Sequence, residues 1–229
     1  MRSGPLSRRP ILSLVTSRGR LAPSFPSSDG LLELVARAVA VGVDVIQVRE
    51  PDLRDAEMLV LVRRCVALAD GSATAIVVND RLDIALAGGA AGVHLRGGSV
   101  AAPTIRRHTP PGFLLGRSVH GAAEAQAVAD AGGVDYLTFG TVYRSRSKPG
   151  LAPQGADRLG SVVQGVSLPV LAIGGITVDN TGEVFGRGAA GVAAIDLFVE
   201  PDRLDGLDGI RRVVTAIRQS YANSHGHGE

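Results

Sequence analysis

Reactive side chains in this chain stand at the ends of short apolar runs. Arg49 follows VIQV at 45–48, Asn79 and Asp80 follow TAIVV at 74–78, and Ser118 and His120 end the run that starts at Phe113. Ser145, Ser147 and Lys148 then lie together in a long polar loop. An imidazole titrates near neutrality and can pass a proton in either direction, which makes His120 the candidate acid and base. Lys148 is a mobile cation suited to a phosphate or a developing anion. A second pattern is backbone-based: Ile173 opens directly into Gly174 and Gly175, and a further glycine-rich turn, GAAG at 188–191, precedes the strand that reaches Ala194. Backbone N–H groups at such turns hold phosphate where no side chain blocks the approach. Each feature also has a plainer reading as a cap, a solvated charge or a tight turn. Arg144 and Arg146 read as solvated charges, and His94, inside an apolar run, fits a satisfied core group as well as a functional one.

These groups need elements to position them, and the chain supplies an alternating series. Strand patterns cover Pro10–Thr16, Val45–Val48, Thr74–Val78, Gly92–Leu95, Phe113–Val119, Val134–Gly140, Pro169–Ile173 and Gly191–Ile195. Helical periodicity covers Leu31–Val41 with Asp29 as its cap, Leu53–Leu68, a short stretch ending near Gly88, Ala102–His108, Ala122–Ala131, Asp179–Gly186 and about Leu204–Tyr221. The strands are near-continuous and apolar, as in a parallel sheet covered on both faces. A doubly wound open sheet would place its glycine-rich phosphate loop after the first strand. Here the two glycine-rich turns border the seventh and eighth strands, where (β/α)8 barrels commonly bind phosphate. The expected fold is therefore an α/β (β/α)8 TIM barrel, one domain over 1–229 with an ordered core of about 10–221 and short flexible ends.

Composition narrows the function class. The formal net charge is only +2 and aromatic residues make up 3%, which argues against a nucleic-acid surface built from basic and stacking groups. No run approaches the ~18 apolar residues of a membrane helix, and the basic opening MRSGPLSRRP has no secretory apolar segment behind it, so a cytoplasmic protein with no membrane partner is expected. Cys65, the one cysteine, lies on an apolar helical stripe and reads as core. His225 and His227, in the HGHGE tail, read as part of a frayed terminus.

Taken together, VIQVRE (45–50), VVND (77–80), GVHL (92–95), GRSVH (116–120), DYLTFGTVY (135–143), SKPG (147–150), PVLAIGGI (169–176) and GAAGVA (188–193) resemble the thiamine phosphate synthase and TenI-like thiazole tautomerase superfamily. The resemblance spans nearly the whole chain and implies a thiamine-biosynthesis enzyme acting on a small phosphorylated thiazole, with pairing into a homodimer common among such barrels. Synthases of this superfamily join an aminopyrimidine pyrophosphate to a thiazole phosphate with magnesium. Where they carry a lysine after the Arg-Glu pair this chain has Pro51, and where they carry a second metal-binding aspartate after GVHL it has Ser99. Asp80 remains, and Ser145 and Ser147 replace threonines. The tautomerase branch also lacks that aspartate and implies proton transfer by the histidine at His120. The leading expectation is thus a thiazole tautomerase that needs no metal or other cofactor. His120 would be catalytic, with Arg49, Ser118 and Lys148 on carboxylate or phosphate, and Gly174, Gly175 and the turn at Ala194 on phosphate. Asn79, Ser145 and Ser147 are further candidates for contact with substrate or phosphate. The alternative is a synthase using Mg2+ on Asp80, with Arg49, Asn79, Ser118 and Lys148 holding pyrophosphate. A third reading is a catalytically silent protein that binds thiamine phosphates.

Overall fold

The computed structural model describes residues 4–21, 28–147 and 149–226. Eight parallel strands close on themselves in sequence order: β1 Ile11–Val15, β2 Val45–Val48, β3 Ala75–Asn79, β4 Gly92–Leu95, β5 Leu114–Val119, β6 Tyr136–Gly140, β7 Val170–Ile173 and β8 Gly191–Ala194. β8 pairs with β1 through Ile11 opposite Gly191 and Ser13 opposite Ala193, which closes the ring. The intervening helices are α1 Ser28–Ala40, α2 Asp55–Ala69, α3 Leu82–Ala87, α4 Ala102–Arg106, α5 Ala122–Ala131, α6 Ala156–Gly165, α7 Thr181–Gly186 and α8 Asp196–His225. The expected (β/α)8 barrel is the observed one.

The eight strand patterns agree with the structure to within two residues at either end; the helices differ more. Asp29 does not cap α1: it lies inside the first turn and pairs with Arg64 across to α2 at 3.1 Å. α6 carries glycine at its N-cap and its last position, so its apolar positions escaped the sequence reading. α8 begins at Asp196 and breaks at Gly206, whose φ is +55°, before continuing past Tyr221. His225 belongs to it: its ring stacks on Tyr221 with centroids 4.0 Å apart. His227 lies outside the described residues.

Two cores follow from strand alternation. Outward-facing residues such as Leu12, Ile46, Val78, Leu115, Leu137 and Val192 pack against the helices in one continuous cluster that includes the buried Cys65. Inside the ring, Ile11, Val45, Val77, Tyr136 and Leu171 form a separate apolar layer. Two residues further along the same strands, the interior becomes polar: Ser13, Gln47, Asn79 and Thr138. The barrel is therefore apolar toward the strand N-termini and polar toward the C-terminal mouth, where the strands end in Arg49, Asp80 and His120. No described helix is long and apolar enough to cross a membrane.

Candidate functional site at the strand C-termini

The floor of the mouth is a hydrogen-bonded cluster centred on His94. Its Nε2 lies 2.9 Å from Ser118 Oγ and 3.3 Å from Thr138 Oγ1, and its Nδ1 lies 3.1 Å from the Tyr136 hydroxyl. Ser118 and Thr138 are themselves 3.2 Å apart. Gly116 makes room for this cluster, since a Cβ there would stand 2.5 Å from His94 Nδ1 and 2.4 Å from the Tyr136 oxygen. Burial pushes the His94 pKa down to about 4, opposed only weakly by Asp80, so the ring is neutral at physiological pH. Beside it, Gln47 Nε2 donates to Asn79 Oδ1 at 3.0 Å. The plainer of the two readings of His94 holds: it is a satisfied interior group, and it fixes the Ser118 hydroxyl.

Two cavities open above this floor. The first, about 280 Å³, is lined by Arg144, Ser145, Arg146, Ser147, Gly174, Gly175, Thr177, Ala194 and Asp196. Ala194, Ile195 and Asp196 line the cavity where α8 starts, which puts the cavity at the positive end of the helix dipole, an arrangement suited to an anion. Gly174 and Gly175 have φ of +97° and +66°. A Cβ on Gly174 would meet Thr141 Cα at 2.9 Å, and one on Gly175 would meet the Arg144 carbonyl oxygen at 2.3 Å. The tight approach of the loop after β6 is thus a sufficient physical reason for both glycines. That loop is pinned by Tyr143, whose hydroxyl donates to Glu183 at 2.6 Å, and by Arg146, which pairs with Glu200. Ser145 and Ser147 are hydrogen-bonded to each other at 2.8 Å. Arg144 and Arg146, read from sequence as solvated, both line the cavity. Lys148 lies outside the described residues.

The second cavity, about 230 Å³, is lined by Arg49, Glu50, Pro51, Asn79, Asp80, Arg81 and Arg96 among others. Arg81 is committed to Asp55 and Asp83. The Arg49 guanidinium has no ion pair or hydrogen bond among the described residues, so this cavity carries an unspent positive charge. Asp80 holds a left-handed backbone conformation, φ +61°, and its carboxylate accepts from Ser99 Oγ on one oxygen and from the Arg96 guanidinium on the other. Burial alone would raise its pKa, yet these bonds and the Arg96 charge hold it below the usual carboxylate value.

Magnesium takes an oxygen shell, ordinarily one or two carboxylates completed by waters and substrate phosphates. Here both Asp80 oxygens already have donors. Glu50 Oε2 accepts from the Arg18 backbone N–H at 2.9 Å, and only its buried Oε1 lacks a partner. Among the described residues no three His, Cys, Asp or Glu side chains gather as a metal site. Each carboxylate at this cavity is already matched by a guanidinium, so the residues present do not fit a dedicated magnesium ion.

His120 stands apart from both cavities, on the rim just past β5. Its side chain is 51% exposed, and Nδ1 lies 3.4 Å from Glu124 Oε2, which also accepts from the His120 backbone N–H at 2.7 Å. The structure thus distributes the sequence-derived residues over four places. Ser145, Ser147, Gly174, Gly175 and Ala194 share one cavity, Arg49, Asn79 and Asp80 the other, Ser118 the floor and His120 the rim. Sequence reading missed Arg96, Thr138 and Tyr136. Arg96 was legible in principle as a charged residue directly after a strand; the other two look like ordinary strand residues until the ring closes.

The chain is similar to known proteins over most of its length. The family model described as thiamine monophosphate synthase matches residues 12–198. A thiamine-phosphate synthase from Methanoregula boonei is 37% identical over 191 residues, 82% of this chain and 88% of that protein. One from Methanoculleus marisnigri is 39% identical over 168 residues, covering 73% and 79% of the two chains. Among solved structures, a thiamine phosphate pyrophosphorylase from Pyrococcus furiosus superposes with a TM-score of 0.77 at 28% identity, covering 92% of this chain and 96% of that one. With its closed eight-stranded barrel and a match running from β1 into α8, this chain belongs to the thiamine monophosphate synthase (TMP-TENI) family of thiamine-biosynthesis enzymes.

Proposed function

We propose that the chain is a thiamine-phosphate synthase, joining an aminopyrimidine pyrophosphate to a thiazole phosphate. This reverses the order of the two readings drawn from the sequence, and the relatives above, which are thiamine-phosphate synthases by name, support the change. The observation that carries it is the pair of cation-bearing cavities at one barrel mouth, because the reaction brings together two substrates that each carry phosphate. In the chemistry, the lone pair of the thiazole ring nitrogen forms the new C–N bond while the exocyclic C–O bond of the pyrimidine breaks. The bonding electrons of that C–O bond leave with pyrophosphate. That nitrogen carries no proton, so no general base is required, and the protein's task is to orient two substrates and meet the leaving charge. The cavity at Gly174, Gly175 and Ala194 would take the thiazole phosphate, with Ser145 and Ser147 beside it and Lys148 as a further cation for it. Arg49 and Asn79 would face the pyrophosphate, and the Ser118 hydroxyl, fixed by His94, would contact the ring between them.

One observation favours the tautomerase reading. His120 and Glu124 form an imidazole–carboxylate pair at the mouth, on a His120 side chain that is half exposed. Such a pair suits removal of a ring proton and its return to an exocyclic carbon. One experiment separates the two readings: thiamine phosphate formation from the aminopyrimidine pyrophosphate and the aromatic thiazole phosphate, in chelator and in magnesium. Product in either condition is the expected result. No product from folded protein, together with His120-dependent aromatisation of the non-aromatic thiazole carboxylate phosphate, would replace the synthase with the tautomerase.

A further inference from the structure

The second cavity departs from the metal site that the family resemblance implies, and the departure is built from this chain's own side chains. The Arg96 guanidinium reaches Asp80 Oδ2 through Nε at 2.7 Å and through its terminal nitrogen as well. Ser99, at the position of the expected second carboxylate, hydrogen-bonds the other Asp80 oxygen and also accepts from the Arg96 backbone N–H at 2.9 Å. The turn is closed by Ser99 N–H donating to the Arg96 carbonyl at 3.1 Å. It is also tied to the barrel wall. Arg117, on β5, donates to the carbonyls of Gly97 at 2.7 Å, Ser99 at 3.3 Å and Val100 at 3.0 Å. Three contacts from one guanidinium therefore fix the loop from which Arg96 projects. The Arg96 side chain is 70% exposed and Asp80 18%, so one face of the cation is anchored and the other meets solvent in the cavity with Arg49.

A divalent cation at this place would have to displace a guanidinium already bonded to the one carboxylate it needs. A planar guanidinium with one edge anchored still presents N–H donors on its free edge, and these suit the oxygens of a phosphate group. Pro51 removes a lysine that the synthases are implied to use here, which makes a resident cation at 96 the more consequential.

We propose that Arg96, positioned by Asp80 and Ser99, supplies with Arg49 the positive charge that holds a pyrophosphate group in this cavity without magnesium. Asp80 is then a positioning residue and not a metal ligand. The proposal rests on the reading that this mouth receives a pyrophosphate-bearing substrate, and binding can test it apart from turnover. Inorganic pyrophosphate titrated calorimetrically into the whole protein in excess chelator should bind with one-to-one stoichiometry, and added magnesium should change the affinity less than about twofold. Arg96→Gln should weaken binding at least tenfold in chelator with an unchanged thermal melt, since the side chain is mostly exposed. Asp80→Asn, which loosens Arg96 and keeps its charge, should weaken binding at least threefold in chelator, where a metal ligand would have no effect. Binding by the wild type only with magnesium, or wild-type affinity in Arg96→Gln, would overturn the proposal. Failure to form thiamine phosphate, with pyrophosphate binding intact, would strike the synthase reading alone.

Discussion

Acid should destabilise this protein through one buried imidazole. His94 is 2% exposed, hydrogen-bonded on both ring nitrogens, and its pKa is pushed down to about 4. In the unfolded chain the ring titrates near its ordinary value of about 6.5. Above that pH neither state binds the proton, and His94 makes no pH-dependent contribution. As pH falls from about 6.5 toward 4, the unfolded chain takes up a proton that the folded ring refuses, so stability declines across that window and then levels off. The full span of roughly 2.5 units corresponds to about 3 kcal/mol, and at pH 5 about 2 kcal/mol of it has been lost. For a chain of this size, about 2 kcal/mol corresponds to roughly 4–8 °C in melting temperature. Burial raises the pKa of both Asp44 and Glu50, and these carboxylates work in the opposite direction. The assay therefore compares wild type with His94→Asn by thermal melting at pH 7.5 and pH 5.0. The variant should be less stable at pH 7.5, because it opens space beside Tyr136 and Ser118, and the gap should narrow by about 2 kcal/mol at pH 5.0. A gap of the same size at both pH values would show that the folded ring takes up its proton as readily as the unfolded one, and the depressed pKa assigned to the floor would fall.

Two further outcomes follow from packing. Gly175→Ala places a Cβ 2.3 Å from the Arg144 carbonyl oxygen at a φ of +66°, so it should cost about 2–4 kcal/mol and weaken inorganic phosphate binding at least tenfold; a melt within 1–2 °C of wild type would show that the loop yields freely. Burial pushes the Cys65 thiol up to about 12, with Glu50 adding to the shift, so a thiol reagent at pH 8 should label it only after denaturation, and rapid labelling of the native protein would contradict its core placement.

The order of the eight strands, and of every helix but α6, was legible in the chain because each local signal agreed with the next. Near-continuous apolar strands such as VIQV and PVLAI have only one comfortable home, a parallel sheet covered by helices, and alternation with helical periodicity then leaves few topologies. The strand-end positions of Arg49, Asn79, Asp80, Ser118 and His120 were equally legible, because in this architecture the C-terminal ends of all strands share one face. Local pattern failed where glycine or a break did the work, as at α6 and at Gly206 in α8.

What only the tertiary structure decided is which of those residues meet. The strand-end residues divide between two cavities, a floor and a rim, and no sequence distance predicts that division. His94 and Ser118 are 24 positions apart, and His94 and Tyr136 are 42, yet the three are joined by hydrogen bonds at 2.9 and 3.1 Å. That cluster exists because ring closure turns alternate residues of β4, β5 and β6 toward one axis. Asp80 gives the sharper case. From the sequence it is a lone surviving metal carboxylate; in the fold both its oxygens are taken by Ser99 and Arg96, on a loop held by Arg117 from the neighbouring strand. Residue type sets what a carboxylate can bind, but only the packing of three separate segments around it determines what it does bind.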